Sequence, residues 1–576
     1  MMKNIKYMII AALCGLLGVS CSLEEKSYTE IDMDEYIKNA DEANNVLMGI
    51  YADLCDEGMY RYNLSMLLQM PTDMEKCEGS TTDNYRIVPA NAYTSVQSDI
   101  EVTWEAINKA IYDANSFIRL LALNVESFED ESDKALATVY MGEARALRAL
   151  CYFELVRWFG HVTLNTDPMY AYKVSLSDME QDEPEKVYEQ IEKDLKYAID
   201  VLPYATDDNL RTSNAYRFSK GAALGLLTKV YATWAGYPIQ DESKWELAAA
   251  TAKELIESGK HSLLTEAVDG NSGFEQLWWN TCNGVWDPTE SLIEISFYSP
   301  TSTASGARIG RIGKWNGTLA QGIKGIRNNA QFRCIPTFLE DWPDRTEDLR
   351  VKLSVADYRY MDQTKTKYDL NSSDRNGNIP YDESQFETAF TGNDSNLKTR
   401  FTRNLTPSKW DTEKYVKDAN YLVDQNYSNI NWYVLRYADV LLLYAEALNE
   451  INQGPNATAY EMVNMVRRRG FNVPLGQDGS HADLKDGMGY EEFKQAIRNE
   501  RGYELAYEGH RRQDLIRWGI YYETVMQTAQ DMEDFVDGGS SVYIAAQYTQ
   551  KGKHELLPIP YRDIQLMPKY VQNPGW

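Results

Sequence analysis

Glu500, Glu504 and Glu508 recur every fourth residue in the stretch IRNERGYELAYEGHRRQDLIRWG, and His510 follows them. Carboxylates at that spacing share one face of a helix, where they could hold a metal or act as an acid/base pair. Five arginines, Arg498, Arg501, Arg511, Arg512 and Arg517, crowd the same stretch. Guanidiniums always carry charge and oppose a bound cation. They also lower carboxylate pKa values, whereas a glycosidase needs one carboxyl raised. The carboxylate face continues the apolar stripe of Phe493 and Ile497, which puts the glutamates at a half-buried interface where each charge needs a partner. The stretch therefore reads as a charged seam that clamps helices through arginine, with Gly509 turning the chain back.

Other chemistry is sparse. G-x-S-x-G, HExxH and P-loop motifs are missing, and GARIGRIG spaces its glycines wrongly for a dinucleotide fingerprint. The five histidines are scattered. One segment, Ser372 to Glu383, follows an EF-hand loop from its third position: Asp374, Asn376 and Glu383 stand at ligand positions, with Gly377 at the turn and Ile379 at the apolar anchor. Ser372 replaces the usual first aspartate and no helix pair flanks the segment, so a polar turn is the plainer reading. Calcium is the ion that would fit, and no cofactor is required.

Aromatic residues are the better candidates for a binding function. The chain has 40 Tyr and 13 Trp, and such amphipathic rings serve surfaces as well as cores. Sugars offer flat C–H faces that rings match, and hydroxyl rims that Asp, Asn and Arg match. Trp278, Trp279, Trp286, Tyr298, Trp315 and Trp342 fall in one loop-rich region. Trp315, between glycines and flanked by Lys314 and Asn316, is the leading candidate. Of Trp278 and Trp279, one ring is expected to pack inward. Tyr85 and Asp73, in STTDNYRIV and MPTDME, join the set, while Trp104 lies in a helical pattern and is expected in the core.

The elements that must position these residues are helical. YIKNADEANNVLMGIYADL, the segment from Val102 and the segment Ala135 to Gly160 all show helical periodicity. SKGAALGLLTKVYATWAG followed by SKWELAAATAKELIESGK resembles a tetratricopeptide-type hairpin, and WYVLRYADVLLLYAEALNEINQG followed by ATAYEMVNMVRRRG repeats the pattern. The fold class is mostly α, with tetratricopeptide-like hairpins forming a scaffold. The expected organisation is a helical scaffold over 21–261, a loop-rich ligand-binding region over 262–429, and helical hairpins with an extended terminus over 430–576.

The first twenty residues read as a signal peptide: Lys3 and Lys6 precede an apolar run, Tyr7 to Val19, that is too short to span a bilayer. Cys21 after Val19-Ser20 resembles a bacterial lipobox, and Glu24 and Glu25 resemble a surface-export signal. A chain cleaved and acylated at Cys21 would be anchored to a membrane. The other cysteines show no disulfide framework or zinc spacing, although Cys55 with Cys77 is a candidate bridge. The net charge is −28. Phosphate backbones would be repelled, so nucleic acid is not an expected partner, and neutral or cationic ligands fit better.

Several stretches, in order, resemble the SusD/RagB family of Bacteroidetes surface lipoproteins: GEARALRALCYFELVRWFGHVTL, RFSKGAALGLLTKVY, LRYADVLLLYAEALNE, IRNERGYELAYEGHRRQDLIRWG and LLPIPYRDIQLMPKYVQNPGW. The resemblance implies a non-catalytic protein of the outer-membrane surface that captures glycan or another nutrient. It also implies a partner, a SusC-like TonB-dependent transporter over which the protein sits as a lid. Its motifs are scaffold, so the ligand residues above stand on their own chemistry. The alternatives are capture of peptide or glycopeptide by the same kind of complex, a secreted glycoside hydrolase using paired carboxylates, and a purely structural helical adaptor.

Overall fold

The computed structural model describes residues 36–576 except 78, 209, 305–307, 321–326, 362–363, 371–378 and 380. Nine helices build the scaffold: α1 (Ala40–Asp53), α2 (Ser98–Asn124), α3 (Glu131–Phe159), α4 (Pro184–Val201), α5 (Lys220–Trp234), α6 (Lys244–Glu257), α7 (Tyr437–Asn452), α8 (Ala457–Gly470) and α9 (Tyr490–Leu505). Their starts follow the capping rules. At α1 the Asn39 side chain accepts from the Glu42 N–H at 2.9 Å, and the Glu42 carboxylate accepts from the Lys38 N–H at 2.7 Å, a reciprocal pair that satisfies otherwise orphaned donors. Ser219 caps α5 and Asn456 caps α8 one way only, each side chain accepting from the N–H three residues on, Ala222 and Ala459.

From α2 to α6 each helix packs on the next in sequence. The alanines of α3 and α6, Ala144, Ala146, Ala149, Ala248, Ala249 and Ala252, are all buried, as close helix approach requires. Arg148 of α3 forks onto Asp194 of α4 through two bonds of 2.8 and 2.7 Å. Helix α7 then packs on both α5 and α6 and carries α8 and α9. The late hairpin therefore continues the early stack, and the segment between α6 and α7 leaves the array and returns to it.

That segment is irregular and is tied down by short strand pairs. Ser291–Ile295 pairs antiparallel with Trp432–Arg436, and this ribbon packs on α5. Phe332–Cys334 pairs with Glu75–Cys77, which binds the loops to the N-terminal segment. Trp104 is buried edge-on to Phe159 as expected. Cys55, Cys77, Cys151, Cys282 and Cys334 are all buried and free, so the Cys55–Cys77 bridge does not form. Among the described residues no helix is long and apolar enough to cross a membrane. Cys21 lies outside the described residues.

Candidate functional site

The carboxylate row is a seam between helices, and its partners come from elsewhere in the chain. Glu500 is held by Arg350 at 2.5 Å and Arg467 at 3.1 Å. Glu504 meets Arg350 at 3.2 Å, Arg436 at 3.0 Å and Arg469. Glu508 meets Arg436 at 2.7 Å and Lys409 at 2.6 Å. Burial alone would raise the Glu504 carboxyl, but Arg469, Arg436 and Arg350 outweigh it and hold it at about 2. All three carboxylates are buried. The stretch's own arginines look outward from the row: Arg501 binds Asp439 and Asp514, Arg517 binds Glu446, and Arg511 binds Asp73. Gly509, at φ 76°, supplies the expected turn. Seam formation is thus as expected, but clamping by the neighbouring arginines is not: Arg501, one residue after Glu500, points off the i, i+4 row, and the helix ends at Leu505, so Glu508 follows it in a turn and Arg511, Arg512 and Arg517 lie beyond.

The aromatic candidates divide by burial. Trp278 has no exposed surface and packs edge-on to Phe274 and Trp410, so it is a core residue and presents no face to a ligand. Trp342 is likewise in the core, stacked on Tyr503 and donating to Asp348 at 2.9 Å. Trp279 is half-buried against Tyr415, with the Lys417 ammonium 5.4 Å from its ring. Asp73 is occupied: Arg511 grips it with Nε and Nη2 at 2.9 and 2.6 Å. Asp374 and Asn376 lie outside the described residues. Glu383 is ion-paired with Lys352 at 2.5 Å.

Two distant candidates meet. Tyr85 stands edge-on to Trp315 with ring centroids 5.3 Å apart. Trp315 is only 9 % exposed, wedged between Tyr62 at 5.4 Å and Phe332 at 6.3 Å. It is therefore a support for the loop surface and not the freely exposed ring its flanking glycines suggested. Tyr85 is half-buried, and the Arg86 guanidinium lies 5.0 Å from its ring centre. On the other side, the Arg311 guanidinium lies 4.7 Å from Tyr62, 5.3 Å from Trp315 and 5.0 Å from Tyr427. The result is a run of rings and cations, Arg86, Tyr85, Trp315, Arg311 and Tyr427, drawn from three parts of the chain.

The same loop that carries Tyr427 leads to a second cluster. Asn429 N–H donates to the Tyr421 carbonyl at 2.8 Å. Burial, then Asp418 and Tyr298, push the Tyr421 phenol up. Tyr298 is 70 % exposed and is anchored by its own N–H to the Arg308 carbonyl at 2.7 Å. Gly284 lies under Tyr421: at φ 62°, with a would-be Cβ 2.6 Å from the Tyr421 hydroxyl, the position favours glycine. The Gly284 carbonyl accepts from Tyr216 Oη at 2.8 Å, and Tyr216 leans on half-buried Trp286 with centroids 6.4 Å apart. Tyr216 is itself held at φ 59°, a strained setting for an aromatic residue.

Arg86, Arg311, Tyr216, Tyr421 and Tyr427 were missed from the sequence. Arg86, next to Tyr85, and Arg311, four residues before Trp315, left a local signal. The other contacts are between segments that only the fold juxtaposes. A separate cavity of about 560 Å³ opens between α2 and the C-terminal segment, lined by Tyr112, Tyr152, Leu176, Leu566 and Tyr570 among others. Several of its polar groups already bond each other, as Tyr152 does with Asn165 and Thr163 with Tyr570.

Residues 339–576 match the family model described as the SusD family, and residues 22–232 match one described as starch-binding associating with outer membrane. A SusD homologue of Bacteroides thetaiotaomicron, known from its crystal structure, is 49% identical, with a TM-score of 0.88 over 96% of this chain and 100% of that one. The chain belongs to the SusD/RagB family. A solved laminarin-binding SusD-like protein shares the fold at 24% identity and TM-score 0.65, covering 94% of this chain and 100% of that one. A SusD-like protein of Formosa agariphila is 26% identical over 567 residues, 96% of this chain and 94% of its own length. In this SusD/RagB chain, Trp278, Trp279, Trp286, Tyr298 and Trp315 all lie between the two segments matched by the family models.

Proposed function

We propose that this chain is a surface-exposed lipoprotein of the outer membrane, anchored through Cys21, that captures an oligosaccharide and delivers it to a SusC-like TonB-dependent transporter. The observation that carries the reading is the run of rings and cations formed by Arg86, Tyr85, Trp315, Arg311 and Tyr427. Rings offer area to sugar C–H faces, and guanidinium forks offer directed donors to the oxygen rim. Family membership supports the reading, as does the family description of starch-binding association with the outer membrane. So does the relative named as laminarin-binding. Trp286, Tyr298 and Trp279 extend the proposed contact area.

No catalysis is proposed. The one carboxylate row with catalytic spacing is buried among guanidiniums, and Glu504 is held ionised, the reverse of what a general acid requires. No metal or cofactor is proposed as a requirement.

Binding of the lipid-free chain, residues 22–576, to a glycan array and to a peptide library tests the ligand class. Affinity for glycans that falls on Tyr85→Ala supports the reading. Binding of peptides alone would replace it with peptide capture. Glycan binding that survives Tyr85→Ala but falls on Tyr112→Ala would move the site to the cavity beside α2. Co-purification of the acylated chain with an outer-membrane barrel from its native membrane tests delivery, and a chain recovered without any barrel would remove the partner.

A further inference from the structure

The charge of the ligand is set by the loops, and their charge departs from that of the chain. Between Glu294 and Glu340 the sequence contains no Asp or Glu, although 86 of the 576 residues are acidic. The same interval carries Arg308, Arg311, Lys314, Lys324, Arg327 and Arg333. Resting on the glycan-capture reading above, we propose that the captured glycan is anionic, its sugars bearing carboxylate or sulfate groups that the guanidiniums of the ring-and-cation run receive.

The structure puts Arg311 of this interval, and Arg86 from outside it, against the aromatic rings. Arg311 lies against Tyr62, Trp315 and Tyr427 within 4.7 to 5.3 Å. Arg86 arrives from the N-terminal segment to the neighbouring ring, Tyr85. Arg308 and Arg327 are exposed, and the backbone of Arg308 pairs with that of Tyr298, the most exposed ring of the second cluster. Lys314 plays no part: it is buried, bonded to Asn328 at 2.9 Å, and burial pushes its ammonium down to about 8.

The plain alternative is that these arginines only balance nearby acids. Glu57 does meet Arg311 at 2.5 Å, and Asp83 meets Arg86 at 2.6 Å. Asp424 sits at the base of the Tyr427 turn, where its carboxylate accepts the N–H groups of Asn426 and Tyr427 at 2.7 and 3.0 Å. Each guanidinium has five donors; Arg311 also donates to Tyr427 Oη at 3.3 Å, and the Nε of both arginines is buried, so the Nη donors are the ones left for a ligand. Asp424 is committed to the backbone of its own turn. Three rings within 5.3 Å also restrict where the Arg311 guanidinium can lie, and a held fork is what receives a bidentate carboxylate or sulfate.

The overall charge of −28 does not forbid this. Exposed charges act over about 8 Å at physiological salt, so a glycan at this surface feels the local arginines, while the acidic remainder discourages polyanions from settling elsewhere.

Calorimetric titration of residues 22–576 with four probes decides it: oligogalacturonate for carboxylate, an oligocarrageenan for sulfate, and oligogalactan and laminarin oligosaccharides as neutral arms. The expected result is tighter binding of at least one anionic probe than of either neutral one, with affinity falling as salt rises. Arg86→Gln and Arg311→Gln should each weaken that binding about 10- to 100-fold. Because Arg311 is packed against rings, the exposed double variant Arg308→Gln/Arg327→Gln is run beside it, with melting curves for all. Its loss of anionic affinity at unchanged melting temperature supports the proposal independently of folding. The two anionic arms tell carboxylate from sulfate. Neutral probes binding as well as or better than anionic ones, without salt dependence, would overturn the anionic ligand and leave glycan capture standing. No binding of any glycan would overturn both.

Discussion

Tyr85 meets Trp315 edge to face at 5.3 Å, and Trp315 in turn is closed off by Tyr62 and Phe332. One ring of the pair faces the loop surface and the other is its foundation. Substituting them should therefore separate binding from stability. Trp315→Ala removes a buried indole and is expected to cost about 3–5 kcal/mol of folding stability. Tyr85→Ala is expected to leave the fold intact and to weaken glycan binding about tenfold or more, the loss typical of an aromatic anchor. Denaturant unfolding and titration calorimetry on both variants check this. Equal destabilisation by the two would remove the distinction.

Glu504 is shared by Arg350, Arg436 and Arg469 at the centre of the helix seam. Neutralising it leaves those guanidiniums buried with less compensation. Glu504→Gln should lower stability by about 3–5 kcal/mol and should not alter the product spectrum of any glycan, because the group is structural. Urea unfolding gives the first number. Loss of a measurable hydrolytic activity in the variant would restore the enzyme reading.

Acid should unfold the protein in two stages. Burial, then Lys229, lowers the His510 imidazole from 6.5 to about 3, and burial with Arg512 and Lys553 does the same to His554. The unfolded chain takes up these protons below its ordinary value near 6.5 while the folded chain refuses them. Stability is thus full above about 6.5 and drains as pH falls towards 3. Glu504 is lowered from 4.5 to about 2, so its contribution is present above 4.5 and is lost between there and 2. Burial raises the Glu75 carboxyl to about 8 and the Glu294 carboxyl to about 7, which works in the opposite sense, so the histidine share is read as a difference: on going from about pH 6.5 to about pH 4 the parent chain should lose stability relative to His554→Gln. Parallel profiles for the two would contradict a neutral, buried His554.

Chelation should leave binding untouched. Glu383, the last ligand of the EF-hand-like segment, is engaged by Lys352. Glycan affinity measured with and without EDTA should agree. A loss restored by calcium would assign an ion to the Asp374 segment.

Sequence alone determined the helical class, the hairpin character of α5 with α6 and of α7 with α8, the family, and the structural nature of the glutamate row. Those conclusions rest on local periodicity and on charge spacing within one helix, which neighbouring residues carry between them. It also marked Tyr85 and Trp315, but it could not tell that they touch, that Trp315 is wedged inward, or that Trp278 is wholly buried. Only the tertiary structure decided these points, and with them the partners of Glu500, Glu504 and Glu508: Arg350, Arg436, Arg467 and Arg469 from other segments. The reason is physical. Burial of a loop ring and the choice of an ion-pair partner depend on which distant segments the strand pairs and helix stack bring together, and no periodicity in the loop itself records that.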